Sequence, residues 1–373
     1  MEQNKRHRKK LFFLVFAGAL GVAATVIGGY QLMQFTESTD FCGRLCHQVM
    51  YPEYAAYQAS PHSRVDCVGC HVGYSAGWMV KSKISGIPQM FATVFKTYDR
   101  PIPGPVKNLR PARDTCENCH RPEKFSGDLV RVIRHYQSDE NNTEEVITRV
   151  LKVGGGHTGA ARDIHWHIAA TVWYLPLDEE RLQIGWVGVE GDNGKMMQFI
   201  DPDKATEINP ELIENEKRLM DCIDCHNRAT HVFYSPNELI DSAIAEGRID
   251  RSLPFIKKEG LAALDPPSSS LDEGTKKVES IEEFYRTSYP QVYEEKRASL
   301  DAAIVQLKEI ARLTTFPYMK VDWNTYPNNL GHLQSPGCFR CHGKLVATTG
   351  DKEGTPIDAG CNSCHYPLPS TIE

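Results

Sequence analysis

The feature that most constrains this chain is its use of cysteine: all twelve fall into six pairs, and each pair is followed at once by a histidine. The pairs read Cys42-Gly-Arg-Leu-Cys46-His47, Cys67-Val-Gly-Cys70-His71, Cys116-Glu-Asn-Cys119-His120, Cys222-Ile-Asp-Cys225-His226, Cys338-Phe-Arg-Cys341-His342 and Cys361-Asn-Ser-Cys364-His365. Five fit CxxCH and the first is CxxxCH. Two thiols one helical turn apart can meet the two vinyl groups of a haem, and the adjacent imidazole is then aimed at the iron. Disulfide frameworks and zinc ribbons also use even cysteine counts and CxxC pairs. Neither needs a histidine after every second cysteine, and only 14 of the 373 residues are histidine. The spacing therefore predicts six covalent c-type haems. At the first site the extra residue must be absorbed as a local bulge, with a single thioether or a lone disulfide as the alternatives.

A chain of this length can bury two or three ordinary apolar cores. Six large macrocycles replace much of that core, so the expected fold is mostly helical and irregular, wrapped around stacked cofactors. Each iron can take a second axial ligand, and the histidines outside the motifs are His7, His62, His135, His157, His165, His167, His231 and His332. For any one of them taken alone, a surface or hydrogen-bonded histidine is the ordinary reading. Position argues otherwise for several. His62 lies just before the second motif, and His332 six residues before Cys338. His231 follows His226 by five residues, too near to reach the far face of its own haem, so it is expected to ligate a neighbouring one. His165 and His167 alternate sides if their segment is extended and could serve two haems. His135 is preferred to His157 for a remaining iron. Iron held by two histidines has no open position, so it moves electrons rather than binding substrate.

Lys5, Arg6, Arg8, Lys9 and Lys10 precede 26 uncharged residues, Leu11 to Thr36. About 20 residues span a hydrocarbon core, so the run is long enough for a retained transmembrane helix. A cleaved signal peptide would have a shorter apolar region and a small-residue exit, which Tyr30-Gln-Leu-Met-Gln-Phe35 does not offer. Basic residues stay inside, which places His7 on the cytoplasmic side and everything after Thr36 on the outer side. The net charge of −6 excludes a generally basic surface for nucleic acid and leaves docking to redox partners by complementary charge.

The motifs fall in two groups, which gives the expected organisation: residues 1–36 a basic tip and anchor, 37–125 a first trihaem domain, 126–220 a β-containing insertion supplying distal ligands, and 221–373 a second trihaem domain. Strands are expected over Leu129 to Ile133, Ala170 to Leu175 and Leu182 to Val189, with a turn at Gly191 to Gly194. Leu300, Ile304, Leu307 and Ala311 recur at helical spacing, so Val292 to Thr314 reads as an amphipathic helix, a strut between the fourth and fifth haems.

The single anchor, the first motif close behind it, Tyr54 and Tyr57 leading to Ser60-Pro-His62, and Cys67-Val-Gly-Cys70-His71-Val together resemble the NapC/NirT family of membrane-anchored, quinol-oxidising cytochromes c. The likeness covers roughly residues 1–125. The remainder, with Arg110-Pro-Ala-Arg113-Asp-Thr-Cys116 and Ile164-His-Trp-His167, is similar to the longer multihaem branch, which passes quinol electrons toward periplasmic or extracellular acceptors. The resemblance implies an inner-membrane quinol dehydrogenase, with the membrane quinol pool and a periplasmic redox protein or complex subunit as partners. It implies Lys83 as the quinol-site lysine, Lys81 as the alternative, Tyr54 as a site wall, and Met50 as an axial ligand of the first haem. Two departures stand out: Met50 is three places after His47 rather than two, and Gln89 and Met90 occupy the stretch where the family can carry an acid. Snorkelling beside Trp78 is the competing role for the lysines, and gap-filling for Met50. A terminal reductase would often show lysine in place of a motif histidine, and no CxxCK occurs. A conduit subunit without a quinol site is the remaining rival.

Overall fold

A basic tip followed by uncharged, Leu-, Phe- and Ala-rich sequence with no proline builds one long helix, α1, over Glu2–Glu37. The most apolar 18-residue window within Arg6–Glu37 has a mean hydropathy of 2.3, and none of it is buried by protein. At about 1.5 Å per residue it outspans a hydrocarbon core of about 30 Å. The computed structural model describes residues 2–372 apart from 46, 74, 106–109, 126, 157–161, 192–193, 350–351 and 368–370. Cys46, His157 and the His47 side chain therefore lie outside the described residues.

After α1 the chain makes a π-helical turn over Phe41–Leu45, then α2 over His47–Gln58, α3 over Cys67–His71 and α4 over Ala76–Phe95. The π turn accommodates the extra residue of the first motif, since widening one helical turn is how an inserted residue is absorbed. Gly43 in that turn lies under the Tyr54 ring, which would come within 2.2 Å of a Cβ there, so only glycine fits.

Two antiparallel sheets follow. The first pairs β1, Leu129–Tyr136, with β2, Glu144–Leu151, and the C-terminal segments His365–Pro367 and Thr371–Ile372 add to β2. The second contains β3, Val172–Pro176, β4, Ile184–Glu190, and β5, Met196–Ile200, flanked by Arg218–Leu219 and Val346–Ala347. The expected strands become β1, β3 and β4. The sequence reading missed β2 and β5, and it missed that segments beyond residue 340 complete both sheets.

Between the fourth and fifth motifs lies a helical module: α5, Pro236–Ala245; α6, Ile256–Leu264; α7, Leu271–Glu279; α8, Ile281–Ser288; α9, Pro290–Glu295; and α10, Arg297–Thr314. Ser235 and Glu238 close a reciprocal cap on α5, with Pro236 at its first position. The expected helix from Val292 is divided at Lys296, but its stripe of Leu300, Ile304, Leu307 and Ala311 is buried. That stripe packs with Ile240, Ile256, Val278 and Tyr285, so α10 is the spine of this module and not a strut between two haems. Asp241 joins module to sheet: it pairs with the buried Lys257, accepts from Tyr136 N at 3.0 Å and meets His135 Nδ1 at 2.8 Å.

Candidate haem-binding chain

Both cysteines of a pair lie on one short α-helical turn at Cys67–His71 and Cys222–Cys225, while at Arg113–Cys116, Gly337–Arg340 and Cys361–Ser363 the turn holds the first cysteine and the second follows it directly or within three residues. The eleven described cysteines form no disulfide, and no cluster of three or more metal-type ligands occurs among the described residues. The thiols are consistent with c-type haem attachment.

Consecutive motifs are tied to one another. Thr39, just before the first, donates to Asp66, which precedes Cys67, at 3.0 Å. The Cys42 thiol lies against Cys67 and pulls it down to about 7. Ala112 N, before the third motif, donates to Asp221 at 2.8 Å, and Asp221 in turn caps the Cys222 turn. The Cys222 thiol likewise draws Cys116 down to about 7. Within the fourth motif the buried Asp224 accepts from Tyr174 Oη at 2.6 Å and Arg181 Nη1 at 3.2 Å. Arg340 of the fifth motif donates to the Asp224 carbonyl at 2.6 Å. Asp66, Asp221, Asp224 and Arg340 were not singled out in the sequence, although an aspartate directly before a helical Cys-x-x-Cys is a readable cap signal.

The histidines then pair across long sequence distances. The His71 and His231 rings have centroids 6.2 Å apart, His62 and His120 6.0 Å, and His167 and His342 5.8 Å. A metal bond to imidazole nitrogen is about 2 Å long and the ring centroid lies about 1 Å behind it, so two imidazoles sharing an iron in line hold centroids about 6 Å apart. Each pair joins one motif histidine to one histidine from outside the motifs. The outer ring nitrogens fit the same geometry: Nδ1 of His231 faces the Glu53 carbonyl at 2.9 Å, His167 the Ile164 carbonyl at 2.8 Å, and His342 the Asp358 carbonyl. Donation of Nδ1–H leaves Nε2 free for a metal. Burial holds His71, His167 and His231 below the ordinary histidine range, which favours the neutral ligating form. His62, His165 and His365 each enclose an Nδ1 with no protein partner, as expected where part of the surroundings is a group other than protein. These side chains fit haem.

The other predicted ligands are placed less decisively. His165 lies near enough to His226 to lower its proton affinity, after burial, and packs on Phe125 at 4.8 Å. His332 is exposed, its ring 4.9 Å from Phe339 of the fifth motif. His135 engages Asp241 through Nδ1, with Nε2 uncommitted in that contact. Met50 packs on the cluster of Val49, Phe233, Phe316, Met319 and Val321.

At the membrane end the two lysines diverge. Lys81 Nζ stands 4.5 Å over the Trp78 ring. Lys83 turns to the end of the anchor, donating to Thr36 Oγ1 at 2.9 Å and lying 3.6 Å from Glu37 Oε1. That oxygen is shielded from solvent and accepts no hydrogen bond. The acid beside Lys83 thus comes from the end of α1, a juxtaposition the sequence did not reveal. Further along α4, Ile84, Ile87, Phe91 and Val94 are exposed, as suits a helix beside lipid. Tyr54 Oη accepts from Gln58 at 2.6 Å and Arg44 at 3.3 Å, and its ring covers the first motif.

Residues 4–102 match the N-terminal region of the NapC/NirT cytochrome c family. Over 366 residues the chain is 44% identical to the cytochrome c-type protein ImcH of Geobacter sulfurreducens, a match covering 97% of this chain and 71% of that protein. No solved structure matches the chain. A membrane helix, cysteine pairs at short helical turns and facing histidines are thus joined to sequence identity along nearly the whole length, and the chain belongs to the NapC/NirT family of membrane cytochromes c.

Proposed function

We propose that the chain is a hexahaem cytochrome of the inner membrane that oxidises membrane quinol and passes the electrons to acceptors on the outer side. The observation that carries this reading is the set of motif histidines facing histidines from elsewhere at the spacing of a shared iron, in a series of motifs that starts at the membrane helix. Haem, when bound, supplies one-electron chemistry, and irons closed by two histidines favour conduction over substrate binding. The protein's own task is to hold the ligands, exclude water and place quinol at the first motif.

Oxidation of one quinol to quinone releases two electrons, which leave singly along the haem chain, and two protons: Lys83 donates a hydrogen bond to a quinol oxygen, and Glu37 receives the two hydroxyl protons in turn, releasing each outward beyond the end of α1 before taking the next. Thr36 keeps the lysine turned toward the anchor. A charge-assisted hydrogen bond is worth about 1.5–3 kcal/mol, about ten- to hundredfold in rate. Quinol-driven haem reduction by the Lys83→Ala protein in membranes is expected to slow by that factor, while dithionite reduces it fully. An unchanged rate in Lys83→Ala contradicts the assignment, and a loss confined to Lys81→Ala would move the site to the Trp78 side of α4.

A further inference from the structure

The fixed surroundings of His231 go beyond what holding an imidazole in place requires. Its Nδ1 meets two oxygens of one residue, the Glu53 carbonyl at 2.9 Å and Glu53 Oε2 at 3.2 Å. Arg228 Nη2 donates to both carboxylate oxygens of Glu53, at 3.2 and 3.0 Å, while its Nε donates to the His231 carbonyl at 2.7 Å. The guanidinium is itself packed 4.7 Å from the Phe233 and Tyr326 rings. Arg228, Glu53 and His231 are each at most a quarter exposed, so this cluster is shielded from much solvent screening.

We propose that Glu53, oriented by Arg228, is a positioning residue that lowers the reduction potential of the iron shared by His71 and His231. Negative charge at Nδ1 makes the imidazole a stronger donor through Nε2, which stabilises ferric over ferrous iron. Arg228 turns the carboxylate toward His231 and partly offsets its charge, so the pair presents its negative end to the ring. The elements involved give the contact a wider meaning. Glu53 lies on α2, which begins at His47 of the first motif, and Arg228 and His231 directly follow the fourth motif. One ion pair therefore adjusts the second haem from segments that also carry the first and fourth attachment sites.

The inference rests on the reading that His71 and His231 share an iron, and its test separates the two. In full-length, membrane-purified holoprotein, Glu53→Gln keeps size and hydrogen bonding while removing the charge. Potentiometric titration followed by EPR is expected to show an unchanged number of low-spin haems and one haem whose ferric/ferrous equilibrium moves about tenfold toward ferrous, 59 mV for one electron. Glu53→Asp, which keeps the charge, is expected to leave that haem nearer its wild-type potential than Glu53→Gln does, and Glu53→Ala serves as the test if Glu53→Gln fails to mature. Titrations superimposable on wild type in Glu53→Gln, or in Glu53→Ala where that is the test, overturn the role of Glu53. If His231→Ala yields no high-spin haem, it is the shared iron that fails, whatever Glu53→Gln shows.

Discussion

Replacing His167 with alanine is expected to convert one haem from low-spin to high-spin and leave the others unchanged. The His167 ring is half-buried, faces His342 at 5.8 Å and is held by the Ile164 carbonyl through Nδ1. An iron deprived of its second imidazole gains an open position. The spectral signature is a high-spin ferric EPR signal of one haem per chain that added imidazole reverts to low-spin. Electron delivery from quinol to an outer acceptor should fall with it, because the fifth motif lies between the fourth and sixth in the series tied by Asp224, Arg340 and Asp358. A His167→Ala protein that stays wholly low-spin would remove this pair from the account.

Producing the chain without haem attachment is expected to have a still larger structural effect, and an uneven one. Among the described residues of 37–125 the buried hydrophobic side chains are Val49, Tyr57 and Ala112. At about 1.5–3 kcal/mol for each large side chain, they cannot offset a backbone ordering cost of about 1–2 kcal/mol per residue. Haem burial has to make up the difference. The module at 236–314 has its own continuous core, including Ile240, Ile256, Tyr285, Leu300 and Leu307, and carries no motif. Limited proteolysis of the haem-free chain should therefore destroy the flanking regions and leave a resistant helical fragment over about 236–314. Uniform resistance along the chain would show that the haems are not its core.

Which parts of this could be read from sequence follows from how local each signal is. The attachment motifs and the anchor are defined within a few residues of one another, and so are the strands at β1, β3 and β4 and the buried stripe of α10. The one-residue excess at Cys42 to His47 announced a bulge, and the π turn at Phe41–Leu45 is its form. The helical module was less visible, although Ser235-Pro236-x-Glu238 is an ordinary capping sequence that could have marked its start. Ligand pairing depends on topology. The short separation of His231 from His226 pointed it toward a haem other than its own, but its nearness to the His71 ring exists only because α2 and the 226–231 loop meet. Glu37 belongs to the same class: its role beside Lys83 exists only because α4 folds back on the end of α1. The β2 pairing with the chain's last strands was equally out of reach, since short edge segments carry little pattern of their own.

The most direct test of the central claim is the anaerobic reduction spectrum of the full-length protein in liposomes, with a short-tailed menaquinol analogue as the only donor and no partner subunit. The account predicts that the analogue reduces the haems rapidly, down to the extent its potential allows, and that dithionite completes the reduction. A protein that stays oxidised with the quinol, yet is fully reduced by dithionite, would contradict it and leave the chain a conduit without a quinol site of its own.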